Sequence, residues 1–166
     1  VKQLAKRRTM DTGKITNTNT QIRGLGLWGM KFTILRSAII GTIVGILPGA
    51  GATIASFLSY AAEVKLSKEP ETYGKGNPRG VAASETANNA ASGGSMVPLL
   101  SMGIPGGNAA AVMMAAMTIK GVQMGPLLIR TQPMFLSTVF ATQIVTGILM
   151  VIVSVVIAKV FTKILD

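Results

Sequence analysis

The sequence contains no cysteine and no histidine. The first absence excludes a disulfide framework, a thiol nucleophile and a thiolate metal site. The second excludes a Ser-His-Asp triad, a zinc-binding histidine cluster and an imidazole proton shuttle. Acids are scarce too: six, against sixteen lysines and arginines, for a net charge of +10 over 166 residues. Four of them (Asp11, Glu63, Glu69 and Glu71) fall in charged segments read as solvated, and Asp166 is the last residue. Only Glu85 borders an apolar stretch, as an interfacial helix cap or as a proton or cation site, so paired-carboxylate catalysis has no evident pair. A Ser/Lys hydrolase built on Ser95 or Ser101 with Lys120 lacks a nucleophile elbow or an evident base. No catalytic residue, metal or cofactor is therefore expected. These absences suit a protein that moves a molecule better than one that transforms it.

What is present is unevenly distributed. Residues 1–36 hold eight basic residues (Lys2, Lys6, Arg7, Arg8, Lys14, Arg23, Lys31 and Arg36) against Asp11 alone, or +7, leaving +3 for the rest. Aromatic residues are only 5% and the basic head carries no nucleic-acid motif, so nucleic acid is not the expected partner. Basic segments beside apolar spans mark the cytoplasmic side of a membrane. Three stretches carry no charge at all: residues 37–62, 86–119 and 131–158. Runs of that length are the signature of membrane segments. The first apolar run begins near residue 32 and has no short core ending in a small-residue cleavage site, so a cleaved signal peptide is not expected. The chain opens without Met and reads as part of a longer protein.

The expected organisation is all-α and membrane-integral. Residues 1–31 read as a basic cytoplasmic loop, with Trp28 and Lys31 at the interface. Residues 32–62 are interrupted at Pro48-Gly49-Ala50-Gly51. As one helix the 26 uncharged residues would measure about 39 Å, beyond the roughly 30 Å hydrocarbon core. Two short arms meeting at a Pro-Gly tip, a re-entrant hairpin, resolve the mismatch. Residues 63–85 read as a cytoplasmic connecting loop, with Pro70, Gly74, Gly76, Pro78 and Gly80 breaking any long helix. Residues 86–130 read as a discontinuous transmembrane helix, broken at Ile104-Pro105-Gly106-Gly107-Asn108, and a turn. Residues 131–166 read as a transmembrane helix with a basic end, Lys159 and Lys163. Gly41-xxx-Gly45-xxx-Gly49 and Gly121-xxx-Gly125 read as close-packing motifs, Met113, Met114 and Met117 as packing residues, and Lys120 and Arg130 as interfacial.

The two breaks form an internal repeat. Gly45-Ile46-Leu47-Pro48-Gly49-Ala50 parallels Met102-Gly103-Ile104-Pro105-Gly106-Gly107, with the prolines in register. At each break a half-helix begins with unpaired N–H groups and a positive dipole end. Two such ends at one point make an anion site without a buried arginine. The candidate substrate-binding residues are Gly49, Ala50, Gly51 and Thr53 at the first break, and Gly106, Gly107 and Asn108 at the second. Ser56 is a further donor. The small polar segment 84–95 adds Asn88 and Asn89, which offer donors and acceptors. The competing explanation is simple kinking and close packing of membrane helices.

Gly45-Ile46-Leu47-Pro48-Gly49-Ala50-Gly51-Ala52-Thr53, Tyr73-Gly74-Lys75-Gly76, Glu85-Thr86-Ala87-Asn88-Asn89-Ala90-Ala91, Gly103-Ile104-Pro105-Gly106 and Gly125-Pro126-Leu127-Leu128 occur here in that order. Together they resemble the large permease subunit of the tripartite tricarboxylate transporters, the TctA family, over residues 36–130. The resemblance implies most of the second half of a bacterial inner-membrane, multi-pass permease, one half of an inverted-repeat transporter. It further implies uptake of tricarboxylates or related carboxylates, driven by an H⁺ or Na⁺ gradient without ATP. The implied partners are a small membrane subunit and a periplasmic solute-binding protein that delivers the substrate. The family pattern often has Ser after the second Pro-Gly, where this chain has Gly107-Asn108. A stand-alone organic-anion symporter and a membrane structural subunit without a site are the alternatives.

Overall fold

The computed structural model describes residues 25–165; the rest of the expected basic loop, residues 1–24, lies outside the described residues. All the regular structure among the described residues is helical. A helical turn, α1 (Leu25–Gly29), leads into α2 (Lys31–Ile46) and α3 (Gly51–Leu66). Then follow α4 (Pro78–Gly94), α5 (Met96–Met102), α6 (Asn108–Ile119), α7 (Leu128–Thr131) and α8 (Pro133–Leu165).

α2 and α3 are two arms of 16 residues each, about 24 Å long, separated at Pro48-Gly49-Ala50. They run antiparallel, because Thr33 and Arg36 at the start of α2 bond Glu63 at the end of α3. α4 lies against both. The Ser59 hydroxyl donates to the Ala83 carbonyl at 3.0 Å, and Ser56 Oγ donates to the Ser84 carbonyl at 3.2 Å. The α2–α4 contact is backbone on backbone. A Cβ on Gly41 would lie 2.4 Å from the Ala87 carbonyl oxygen, and one on Gly45 would lie 2.3 Å from that of Ala91. Small side chains thus set the spacing of these helices. The core between them is correspondingly small: Val44, Ala55, Ala87 and Ala91.

A second cluster, Met96, Leu99, Leu100, Ala110 and Leu128, joins α5, α6 and α7, with Met113, Met114, Phe135 and Leu136 packed on it. Beyond its first turns α8 is exposed as far as Phe161. Its segment Pro133–Phe161 has a mean hydropathy of 2.7 and none of it is buried. It is the one helix among the described residues long and apolar enough to cross a membrane.

Several expectations change. The expected loop over residues 63–85 is shorter, since α3 continues to Leu66 and α4 starts at Pro78. Pro78 sits at N1, where its missing N–H costs nothing, and the Asn77 side chain accepts the Arg79 N–H at 3.0 Å. Gly80 lies inside α4, where a Cβ would come 2.9 Å from the Tyr60 ring. Glu85 is therefore an exposed residue within α4, and Asn77 is the cap. Gly121 and Gly125 do not form a packing face. Both have positive φ (78° and 135°) in the irregular link between α6 and α7, where a side chain would be strained.

Candidate functional site

The two Pro-Gly breaks meet. α2 stops at Ile46, Leu47 is extended, and the Ala50 N–H donates back to the Leu47 carbonyl at 3.2 Å. Gly49 and Gly51 take φ of +80° and +70° on either side of right-handed Ala50. Such alternation turns successive N–H groups to one side. The second break solves its geometry differently. Gly103, at φ +70°, ends α5 by donating to the Leu99 carbonyl, while Ile104 N–H donates to Pro98, a Schellman-type closure. Gly106 supplies close approach. A Cβ there would lie 2.9 Å from the Gly45 carbonyl oxygen and 2.9 Å from Ser95 Cβ. Gly107 is extended (φ −177°), and a Cβ on it would touch Gly51 Cα at 3.6 Å.

In the register of the repeat, Ala50 corresponds to Gly107, and these are the N-caps of α3 and α6. Neither N-cap offers a side-chain hydrogen bond. Both helices begin on one cavity of about 440 Å³. Of the expected site residues, Gly49, Ala50, Gly51 and Thr53 line it from the first break; Gly106, Gly107 and Asn108 line it from the second. Ser92, Ser95 and Gln143 add polar side chains, and Met96 and Met113 add apolar wall. No residue lining this cavity is charged.

Asn88, Asn89 and Ser56 lie outside it. Asn89 donates to the Glu85 carbonyl at 3.0 Å and faces the adjoining groove of about 920 Å³ between α4, α6 and α8. Asn88 is half-buried and lines neither space. Ser56 spends its hydroxyl on the Ala52 and Ser84 carbonyls. Ser101 and Ser95 donate to Val97 and Ser92 carbonyls in the same way. Sequence reasoning passed over Gln143. Its signal was available: it is the sole amide side chain in α8.

Charge gathers at the opposite end of the hairpin. Glu63, read as solvated from sequence, is 2% exposed. The hydroxyls of Thr33 (3.1 Å) and Tyr73 (2.9 Å) donate to its Oε1, and Arg36 pairs with Oε2. Among the described residues, Arg36 Nε and Ser37 Oγ are buried without partners. Burial, and next the neighbouring Glu63, push the Tyr73 hydroxyl above its ordinary pKa; a Ser67 hydrogen bond and Arg79 oppose them, so it stays a proton donor at neutral pH. A third space, of about 450 Å³, opens here, lined by Arg36, Lys68, Arg79, Glu63 and Glu69 among others. No group of three or more potential metal-ligating acids occurs among the described residues.

Comparison with known proteins agrees with the resemblance. The model of the tripartite tricarboxylate transporter TctA family matches residues 1–166. An uncharacterised 52.8 kDa protein in the TAR-I ttuC' 3' region of Agrobacterium vitis is 40% identical over 132 residues, 80% of this chain and 26% of that protein. An uncharacterised protein in the TAR-II ttuC' 3' region of the same organism is 38% identical over 125 residues, 75% of this chain and 52% of that protein. The chain thus spans about a quarter and about half of the lengths of these two relatives. No solved structure matches.

Proposed function

The chain belongs to the tripartite tricarboxylate transporter TctA family, and from that premise we propose that it forms part of a permease that carries tricarboxylates or related carboxylates across the bacterial inner membrane. In this reading the α2–α3 hairpin is re-entrant, with its Pro-Gly tip at membrane depth and its Glu63 end on the cytoplasmic side with the basic N-terminal segment. Each arm, at about 24 Å, is shorter than the hydrocarbon core. A small membrane subunit and a periplasmic solute-binding protein complete the system, and an H⁺ or Na⁺ gradient drives it. The protein translocates its substrate and does not transform it.

One observation supports the site above the others: two Pro-Gly breaks, 57 residues apart by the prolines (48 and 105), start two helices on the same cavity. Uncapped first-turn N–H groups and positive dipole ends favour an anion there without the desolvation cost of a buried cation. Thr53 and Asn108 supply side-chain donors. A substrate carboxylate binds at this point, and alternating exposure of the cavity to the two sides moves it across. Asn108→Ala and Thr53→Ala in the full-length permease, with its partner subunits present, should each reduce citrate uptake at equal expression by about tenfold. Asn88→Ala, outside the cavity, should change it less than twofold. Undiminished uptake in both cavity variants overturns the assignment.

A further inference from the structure

α8 also reaches the cavity, and it contributes a single residue there, Gln143. The rest of that helix argues that this residue has a purpose. Its segment Pro133–Phe161 has a mean hydropathy of 2.7, and Gln143 is the sole asparagine or glutamine in α8. Ser137 and Thr138 return their hydroxyls to the Met134 carbonyl, the usual way a short polar side chain is satisfied in an apolar helix. A glutamine amide carries two donors and an acceptor on a longer arm. Gln143 is exposed, and among the described residues its amide bonds no other protein group. A polar group of this kind inside a membrane helix is costly unless it meets another polar group. Gln143 borders both the 440 Å³ cavity and the adjoining groove, so it stands where the two spaces join.

Resting on the carboxylate reading of this cavity, we propose that Gln143 is a substrate-selecting residue whose side-chain amide donates to a second carboxylate of a polycarboxylate, while the first lies at the starts of α3 and α6. The two breaks and α8 then divide the work. The two breaks hold one carboxylate by backbone N–H groups, which any carboxylate satisfies. Gln143 distinguishes substrates with a further carboxylate from those without one. Because the lining holds no charged side chain, one lost donor to an anionic oxygen weighs heavily on affinity.

The absence of cysteine in this chain permits a binding assay that does not depend on transport. Ala109, in the first turn of α6, lines the cavity. In full-length permease otherwise free of cysteine, Ala109→Cys reports occupancy through protection from a thiol reagent. Citrate, succinate and propionate serve as probes. Adding Gln143→Leu should raise the half-protecting concentrations of citrate and succinate about tenfold or more, and that of propionate less than twofold. Gln143→Glu, nearly isosteric but anionic, should weaken citrate further than succinate. An equal shift for all three probes overturns the proposal as a general loosening of the site. An unchanged citrate value with Gln143→Leu overturns it as well. If citrate fails to protect Ala109→Cys with Gln143 in place, the carboxylate reading of the cavity itself falls, and this inference with it.

Discussion

Glu63 is held in the interior by three groups from two places in the chain. Thr33 and Arg36 come from α2, and Tyr73 from the link to α4. Its position beside Lys65 and Lys68 makes it look solvated in the sequence, because its partners lie 10 to 30 residues away. A carboxylate 2% exposed is sustainable only while these donors remain. Glu63→Ala leaves the Arg36 guanidinium without its carboxylate, in a space it shares with Lys68 and Arg79, and should destabilise the chain by about 2–3 kcal/mol. That is below the roughly 3–5 kcal/mol for breaking a deeply buried pair, because the Arg36 side chain keeps 32% of its surface exposed. Thr33→Val, removing one donor, should cost about 1 kcal/mol. Thermal unfolding of the purified chain in detergent measures both, and an unfolding midpoint unchanged by Glu63→Ala would show the clamp to be without consequence.

Elements are placed by glycine as much as by apolar side chains. Gly41 and Gly45 on α2 and Gly94 on α4 each stand where a Cβ would fall within 2.5 Å of a backbone oxygen on the facing helix. Substituting alanine at any of them should separate α2 from α4 at a cost of about 1–3 kcal/mol. Gly93, beside Gly94 in the same helix, has nothing within 4 Å, and Gly93→Ala should fall within about 0.5 kcal/mol of the parent. The contrast between adjacent residues, read by the same unfolding measurement, separates contact from helix propensity; equal effects at 93 and 94 would refute it. The spacing of Gly41 and Gly45 announces close packing in the sequence, but the same spacing at Gly121 and Gly125 does not. There the positive φ values belong to a turn, and a spacing rule presupposes a helix to bring its residues onto one face.

For the molecule as a whole, burial is lopsided. α2, α3 and α4 form one closely packed unit, α5 to α7 a second cluster that includes the first turns of α8, and no part of the remainder of α8 as far as Phe161 is buried. Removal of residues 133–166 should therefore leave amide exchange protection in α2–α4 within about twofold of the parent, while protection in α5 and α6 falls about tenfold or more as Phe135, Leu136 and Val139 are lost from their cluster. Uniform loss across all helices would show a single cooperative unit instead.

Much of this was legible in the sequence. The helical, apolar character follows from composition and from the long uncharged runs. The places where helices must stop follow from proline and glycine, whose backbone chemistry acts locally whatever surrounds them. The repeat even aligns the two N-caps, Ala50 and Gly107. What only the tertiary structure decided is which distant residues meet. Gly106 touches Gly45 and Ser95, so two breaks become one cavity, and Gln143 joins it while Asn88 and Asn89 do not. Those outcomes depend on how helices rotate and cross, which is set by the summed packing of glycine and alanine faces far apart in the chain. No single residue carries that information, and so the sequence could locate the parts of the site without showing which of them share it.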